Sequence, residues 1–289
     1  MTDNPARAVL DHIARSGGGR FGAARPFEMG ENRSTWRVET GGAPLVLKLD
    51  PPERLAAHQR AAAACGYLER RGYPVPRTIA TGAAAGRAYT LRTCLAGAPL
   101  SPGDGRHAAR LIALVQLQAG GAAEAGLAGG DWPGSVVGPV LQGGDGYCLL
   151  QTMRERSDET RRLLERVQAL VEAGRAALPG AGDILHYDFN PANILVDGAE
   201  VSGVVDWEGV RAGDRAFDLA TLLFYAYEAE PARAALWARL RTMRPAPVVA
   251  VYLAHVILRQ VEWSLRLHAP EVGRRYLDRA WRVLRDLDG

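Results

Sequence analysis

The segment HYDFNPANILV, residues 186–196, carries the most information about the fold of this chain. It sets a histidine, Asp188 and Asn193 on a turn that leads directly into an apolar strand. A second apolar strand follows the turn dipeptide Asp197-Gly198 and ends at Asp206. Because a hairpin returns its second strand beside its first, we expect Asp206 to lie close to Asn193.

These side chains form a candidate cluster of oxygen ligands. Magnesium is usually bound by one or two carboxylates together with substrate phosphates, so Asn193 and Asp206 are candidate ligands. Asp188 then remains free to orient a hydroxyl nucleophile or to accept its proton. Lys48 is the only lysine among 35 lysine and arginine residues, and its compact ammonium suits phosphates. Together these residues predict phosphoryl transfer, in which a protein mainly positions groups and neutralises charge.

The chain is long enough for two lobes, with 289 residues of which 47% are hydrophobic. Strand-like alternation dominates the amino-terminal third. After the Gly- and Pro-rich break AGAPLSPGDG, the apolar period changes from two to about 3.6 residues, the period of a helix. We therefore predict an α+β fold with a small β-rich lobe, residues 1–94, a mainly helical lobe, residues 95–289, and a cleft between them.

Individual elements follow from the same patterns. The segment STWRVETGGAPLVLKLD predicts a hairpin around Gly41-Gly42, with Leu45, Leu47 and Leu49 on one face. The segment RAYTLRTCL predicts another strand. Ser157 is predicted to cap an amphipathic helix. Its apolar stripe comprises Leu163, Leu164, Val167, Leu170 and Val171. Further helices are predicted over 52–71, 104–119, 214–229, 231–241, 247–268 and 271–287.

Composition argues against several classes of protein. The net charge of +3 and the pI near 8.9 do not require a nucleic-acid partner. Cys65, Cys94 and Cys148 form no C-x-x-C pair, which argues against a disulfide framework or a zinc site. No secretory signal pattern is present, and the apolar stretch PVVAVYLAHVIL is too short to span a bilayer. A cytoplasmic protein without membrane or nucleic-acid partners is expected.

The motifs together resemble a known family. H-x-D-x-x-x-x-N, an aspartate on the next strand and a lone lysine on an early strand are similar to the protein-kinase-like superfamily. More narrowly, LHYDFNPANILV followed by GVVDWEGVRAGDRAFDLATLL resembles the aminoglycoside phosphotransferase family of small-molecule and antibiotic kinases. The second motif comprises Asp206, Trp207, Glu208, Gly213, Asp214, Asp218, Leu219 and Ala220.

The resemblance implies a bilobal kinase fold and a role for each matched position. Asp188 would be the catalytic aspartate, Asn193 and Asp206 would hold Mg²⁺, and Lys48 would contact the phosphates of ATP or GTP. The flap EMGENRST, residues 28–35, would cover the phosphates, with a contribution from Ser34. Backbone groups of Thr93 and Leu95 would bind the adenine edge, while His186 and Asp218 would brace the catalytic loop.

Two positions depart from the family pattern. Tyr187 stands where glycine is usual, so a ring is expected beside Asp188, narrowing the acceptor site. The helix after Lys48 has no glutamate at the point that normally pairs with the lysine, where Ala61 and Ala62 stand. The partner of Lys48 is left open at this point. The candidates are Gln59, Glu53, Glu69 or the nucleotide alone.

The acceptor is the least determined part of the site. A cationic antibiotic, such as an aminoglycoside or a basic cyclic peptide, would need an acidic lining, for which Glu228, Glu230 and Glu262 are candidates with Trp263 as an aromatic neighbour. Exposed helix charges are an equally good interpretation of these glutamates. A metabolite kinase acting on an amino alcohol, a sugar or a homoserine-like acceptor, and a non-catalytic protein that sequesters an antibiotic, remain alternatives.

Overall fold

The computed structural model describes residues 5–17, 19–27, 34–127, 129–144 and 146–288. Its amino-terminal part is an antiparallel sheet with strand order β1-β2-β3-β5-β4 and a helix on each face. The helices are α1 (Pro5–Arg15) and α2 (Leu55–Glu69). The strands are β1 (Ala24–Pro26), β2 (Thr35–Val38), β3 (Leu45–Asp50), β4 (Thr78–Ala84) and β5 (Arg87–Thr93).

The hairpin of β2 and β3 places Lys48 on the inner face of the sheet. Thr40 closes the turn, since its hydroxyl accepts from Gly42 N at 3.0 Å and donates to Ala43 O at 2.9 Å. Leu47 and Leu49 are buried against α1, as the alternation predicted, and Leu45 packs beside them half-buried. The opposite face, which carries Lys48, is therefore directed away from α1.

Helix α2 is fastened to the sheet by a buried histidine. His58 Nε2 lies 2.8 Å from Asp50 Oδ2 and His58 Nδ1 lies 2.6 Å from Thr90 Oγ1, so one side chain links α2 to β3 and β5. Small residues, Ala57, Ala61 and Ala64, fill the rest of the contact.

The carboxyl-terminal part is mainly helical and holds the larger core. Its helices are α3 (Ala108–Leu117), α4 (Trp132–Leu141), α5 (Leu150–Arg156), α6 (Asp158–Gly174), α7 (Ala216–Tyr225), α8 (Glu230–Met243), α9 (Ala246–Leu267) and α10 (Pro270–Asp288). Its strands are β6 (Ala98–Pro99), β7 (Asp183–Leu185), β8 (Ile194–Asp197), β9 (Glu200–Val204) and β10 (Arg211–Gly213), paired as β6-β8-β9 and β7-β10. The predicted α+β architecture is confirmed.

Helix α9 is the centre of this core. It packs against α4, α6, α7 and α10. It is long and apolar enough to cross a membrane by length and composition, but 78% of its apolar window is buried inside the fold. Its hydropathy therefore reflects its place among the other helices.

Most sequence predictions of elements hold, and the exceptions have local causes. Ser157 caps α6 through a capping box in which Ser157 Oγ accepts from Thr160 N at 3.1 Å. Helices α4 and α5 were missed. The first contains prolines and glycines and begins because Asp131 Oδ1 accepts from Gly134 N at 2.9 Å. Helix α7 is shorter than the predicted 214–229 at both ends, and α3 is shorter than 104–119.

Candidate active site

The loop between β7 and β8 is held by buried side chains on both sides. The two ring nitrogens of His186 contact the backbone on either side. Nε2 lies 2.8 Å from Val205 O, and Nδ1 accepts from Asp188 N at 3.2 Å. Asp218 accepts from His186 N and Tyr187 N, both at 2.9 Å, and from Gln118 Nε2 at 3.1 Å. Burial raises the pKa of Asp218 to about 6 despite these donors. His186 and Asp218 are thus both buried and hydrogen-bonded to this loop, and their predicted bracing role stays a prediction.

Tyr187 is buried in the core at 5% exposed, whereas the sequence analysis expected its ring beside Asp188 at the acceptor site. Its ring stacks on Phe217 with centroids 5.3 Å apart, and the Arg211 guanidinium lies 3.6 Å from the ring centroid. Its hydroxyl lies 3.2 Å from His255 Nε2. These contacts hold Tyr187 at a φ of +72°, a conformation that a bulky residue adopts only when its surroundings enforce it. The backbone is thereby turned so that the next residue, Asp188, faces outward.

Asp188 presents a partly exposed carboxylate between two donors. Its side chain is 35% exposed. Oδ1 accepts from Arg259 Nη2 at 3.1 Å, and Oδ2 accepts from Asn193 Nδ2 at 3.3 Å. The same amide nitrogen of Asn193 donates to Asp188 O at 2.9 Å, which ties the two ends of the loop together.

The predicted oxygen ligands lie at the open end of one hairpin. Ile194 pairs with Val204, and Val205 N donates to Asn193 O at 2.9 Å, so Asp206 follows directly beside Asn193. Because the side-chain amide nitrogen of Asn193 donates to Asp188, the side-chain amide oxygen of Asn193 is left for another partner. Asp206 is 48% exposed. Asn193 itself is largely buried, at 9% exposed. One half-exposed carboxylate and one amide oxygen beside it are a donor set that fits Mg²⁺.

Lys48 is paired by a glutamate that sequence reasoning did not assign. Its ammonium lies 2.5 Å from Asp206 Oδ1 and 3.0 Å from Glu208 Oε2. Glu208 is 2% exposed, and its other oxygen lies 3.0 Å from Arg92 Nη1 on β5. Burial would lower the pKa of Lys48, but Glu208 and Asp206 raise it well above its ordinary value, so the charge persists.

The side chains proposed from α2 lie elsewhere. Glu53, just before α2, and Gln59 and Glu69 on it are all exposed. Glu208 follows Asp206 by two residues within the quoted motif, which is the signal that could have identified it. The substitute for the missing helix glutamate thus comes from the same segment as the predicted metal ligand.

The predicted nucleotide-binding positions differ in whether their polar groups already form hydrogen bonds within the protein. Thr93 N donates to Arg77 O at 3.0 Å and its hydroxyl accepts from Arg77 N at 2.9 Å, whereas the N–H of Leu95 bonds to no other described residue. Ser34 O accepts from Leu49 N at 2.8 Å, which places Ser34 close to Lys48. The rest of the predicted flap, residues 28–33, lies outside the described residues.

The predicted acidic lining is largely engaged with arginines. Glu262 is buried and accepts from Arg266 Nε at 2.6 Å, and the Arg266 guanidinium lies 5.1 Å from the Trp263 ring. Glu228 contacts Arg279 and Arg282 at 2.8 and 2.6 Å. Glu230 pairs with Arg233. Glu262 and Glu228 are thus held by arginines, whereas Glu230, 67% exposed, stays accessible on the surface.

Solved structures with the same architecture are numerous. Aminoglycoside phosphotransferase APH(4)-Ia, as a thermostable mutant in ternary complex with AMP-PNP and hygromycin B, has a TM-score of 0.70 and 17% identity over 96% of this chain and 98% of its own. Choline kinase LicA from Streptococcus pneumoniae has a TM-score of 0.65 and 14% identity over 97% and 99%. Macrolide 2'-phosphotransferase MphH from Brachybacterium faecium has a TM-score of 0.57 and 21% identity over 94% and 97%. At these identities the likeness establishes the fold.

Sequence comparison establishes the family. No curated protein matches the chain. The model of the APH family, described as the phosphotransferase enzyme family, matches residues 23–248, from β1 to the first turn of α9. This range includes the catalytic-loop hairpin, Lys48 and Glu208. The chain therefore belongs to the APH phosphotransferase enzyme family.

Proposed function

We propose that this protein is a small-molecule kinase that transfers the γ-phosphoryl group of ATP or GTP to an acceptor hydroxyl. The observation that carries the proposal is one continuous set of contacts. The Asn193 side chain donates a hydrogen bond to Asp188. The end of the hairpin lies beside Asn193 and leads into Asp206, whose carboxylate contacts Lys48. A carboxylate for a hydroxyl, oxygen ligands for a metal and a cation for phosphates are thereby brought to one place. Phosphoryl transfer requires this combination.

Each side chain has a distinct task in the proposed reaction. Asp188, half-exposed and held on two sides, orients the acceptor hydroxyl and takes its proton. Lys48, kept charged by Glu208 and Asp206, binds the nucleotide phosphates as a point charge. Asn193 and Asp206 would hold Mg²⁺, which neutralises charge on the transferred group when bound. Leu95, with its free N–H, and Thr93 would offer hinge groups to the base.

The acceptor proposed first is a cationic antibiotic. APH(4)-Ia and MphH, both antibiotic phosphotransferases by name, share the fold, which supports this class. A specific observation favours the second candidate, a metabolite acceptor: Glu262 is buried against Arg266 and Glu228 contacts two arginines, so only the exposed Glu230 is readily accessible among the three. The choline kinase LicA shows that the fold also accommodates metabolite kinases. We further propose a cytoplasmic location and no nucleic-acid or membrane partner.

The test is a phosphorylation assay with an acceptor panel. Purified protein with Mg-ATP or Mg-GTP is incubated with hydroxyl-bearing cationic antibiotics and small metabolites, and products are read by mass for one added phosphoryl group. Asp188→Asn is expected to lower turnover by at least about 10³-fold while leaving the protein folded. Asp197→Asn, the same change at the exposed tip of the adjacent hairpin, is the matched control.

Each result has a clear meaning. A product made by wild type and by Asp197→Asn, but not by Asp188→Asn, supports the kinase and identifies the acceptor class. Tight antibiotic binding by wild type and Asp188→Asn alike, without product from either nucleotide, would instead support a sequestering protein.

A further inference from the structure

Arg259 is a largely buried cation that lies outside both quoted sequence motifs. It lies in α9 and is the first formally charged residue of that helix, after the apolar run that forms the centre of the core. Its side chain is 20% exposed. Burying a guanidinium is costly unless it is paired and hydrogen-bonded, so its partners indicate what it is for.

Those partners are the two central residues of the catalytic loop. Arg259 Nη1 donates to Tyr187 O at 2.8 Å and Nη2 donates to Asp188 Oδ1 at 3.1 Å. The guanidinium also lies 4.8 Å from the Tyr187 ring centroid. A planar fork that grips a backbone carbonyl and the neighbouring carboxylate fixes the direction of the carboxylate as well as its position.

The pairing is not explained by stabilisation of the core alone. A buried ion pair is weak evidence for stability, because apolar residues of the same volume often serve as well. Here the anionic partner is Asp188, a carboxylate that is 35% exposed at the cleft. Burial would lower the pKa of Arg259, but Asp188 and Tyr187 raise it above its ordinary value, so the charge is permanent.

We propose that Arg259 is a positioning residue for phosphoryl transfer, holding Asp188 in the orientation that aligns the acceptor hydroxyl. This inference rests on the proposed function. With Oδ1 engaged by Arg259 and Oδ2 only by the Asn193 amide, the accessible part of the carboxylate keeps lone pairs for the hydroxyl. A small loss of orientation at such a group has a large effect on rate, whereas nucleotide binding, which uses other residues, should be little changed.

The experiment separates kcat from KM in two variants. Arg259→Gln is expected to lower kcat by about 10–150-fold, the range for losing one hydrogen bond to a charged group. The nucleotide KM should stay within about 3-fold of wild type. Arg259→Ala should behave similarly, and addition of ethylguanidinium at non-denaturing concentration should restore part of its kcat.

The matched control is Arg215→Gln. Arg215 is 21% exposed and pairs with Asp183 at 2.8 Å, at the far end of β7 from the catalytic loop. It should lose stability like the Arg259 variants but keep its kcat per folded molecule and show no response to ethylguanidinium. Arg259→Lys, which keeps the charge but not the fork, should give an intermediate kcat and serves if the other variants do not fold.

Several outcomes would overturn the inference. They are a wild-type kcat in Arg259→Gln or Arg259→Lys, a loss of activity that only follows the unfolded fraction, and failure of ethylguanidinium to restore Arg259→Ala. All of these presuppose an active wild type. A wild type inactive with every acceptor would refute the proposed function itself, and is thereby distinguished from failure of this inference.

Discussion

Replacement of Glu208 by glutamine should destabilise the protein and weaken its handling of nucleotide. The substitution keeps the shape of a side chain that is 2% exposed but removes the charge that contacts Lys48 and Arg92, each at 3.0 Å. Lys48 keeps Asp206 at 2.5 Å. Arg92 loses its ion-pair partner, while its Nε and Nη2 already have none within the described residues.

The size of the effect follows from these distances. Two unit charges 3.0 Å apart interact by about 5.5 kcal/mol at an effective dielectric constant of ~20. Most of this is offset by desolvation, and breaking a buried pair costs about 3–5 kcal/mol. For 289 residues the entropy of unfolding is about 0.6 kcal/mol/K, so Tm should fall by about 5–8 °C.

The effect should also depend on pH. Burial raises the pKa of Glu208. The charges of Arg92 and Lys48 lower it by more than burial raises it, so in the folded protein the pKa of Glu208 lies below the ordinary 4.5. A depressed pKa contributes stability that is present above the ordinary value and is lost as the pH falls. The difference between wild type and Glu208→Gln should therefore be full at pH 7 and shrink below about pH 4.5.

The assay is thermal and denaturant unfolding together with the nucleotide KM. Without the Glu208 charge, Lys48 is positioned less firmly, so the nucleotide KM should rise or kcat should fall by about 10–100-fold, as when other residues that orient a functional side chain are replaced. Glu69→Gln, on the exposed side of α2, is the matched control and should stay within about 0.5 kcal/mol of wild type. Adding Arg92→Met to Glu208→Gln should recover about 1–3 kcal/mol of the free energy of unfolding, because the double variant no longer buries an unpaired guanidinium. The reasoning is wrong if Glu208→Gln unfolds like wild type, or if Glu69→Gln impairs nucleotide use more.

The remaining predictions concern the loop and the hinge. Asp218 has a pKa raised to about 6 from 3.8, so the folded state holds its proton more tightly than the unfolded state. The free energy of unfolding should therefore fall by about 3 kcal/mol as the pH rises from about 3 to about 7. Asp218→Asn should abolish this dependence in pH-dependent denaturant unfolding, and should lower kcat because an amide cannot accept from both His186 N and Tyr187 N. Gly203→Ala would bring a Cβ within 2.4 Å of Leu95 Cδ1, so the half-buried Leu95 side chain must turn away. The change should shift the nucleotide KM while costing less than about 1 kcal/mol, as measured by steady-state kinetics and unfolding, with Gly180→Ala as an open-site control.

The parts of the site that were predictable from sequence are those joined by short connections. Asp188, Asn193 and Asp206 lie on one loop and the hairpin that follows it, so turn and strand patterns alone bring them together. The sheet that carries Lys48 was predictable because β2 and β3 are consecutive and alternate cleanly. The lobe boundary near Leu95 stays a prediction, although the large sheet ends at Thr93.

The parts that were missed depend on contacts between distant segments. Glu208 is 160 residues from Lys48, and Arg259 is 71 residues from Asp188, so no spacing rule connects either pair. The available signals were the place of Glu208 two residues after Asp206 and the occurrence of Arg259 directly after the apolar run of α9. Helix α4 was missed for a different reason: its prolines and glycines are poor helix formers, and it is the Asp131 cap and the burial of Trp132 that stabilise a helix there.

The source of the Lys48 partner has a consequence for control of the enzyme. In protein kinases the glutamate that pairs with the lysine belongs to a mobile helix, and displacing that helix switches activity off. Here the carboxylates that pair with Lys48 belong to the Asp206–Glu208 segment, while α2 is bound to the sheet through His58. Movement of α2 would break no ion pair of Lys48 among the described residues. For the proposed kinase, this arrangement predicts that the ion pairs of Lys48 form without an inward movement of α2.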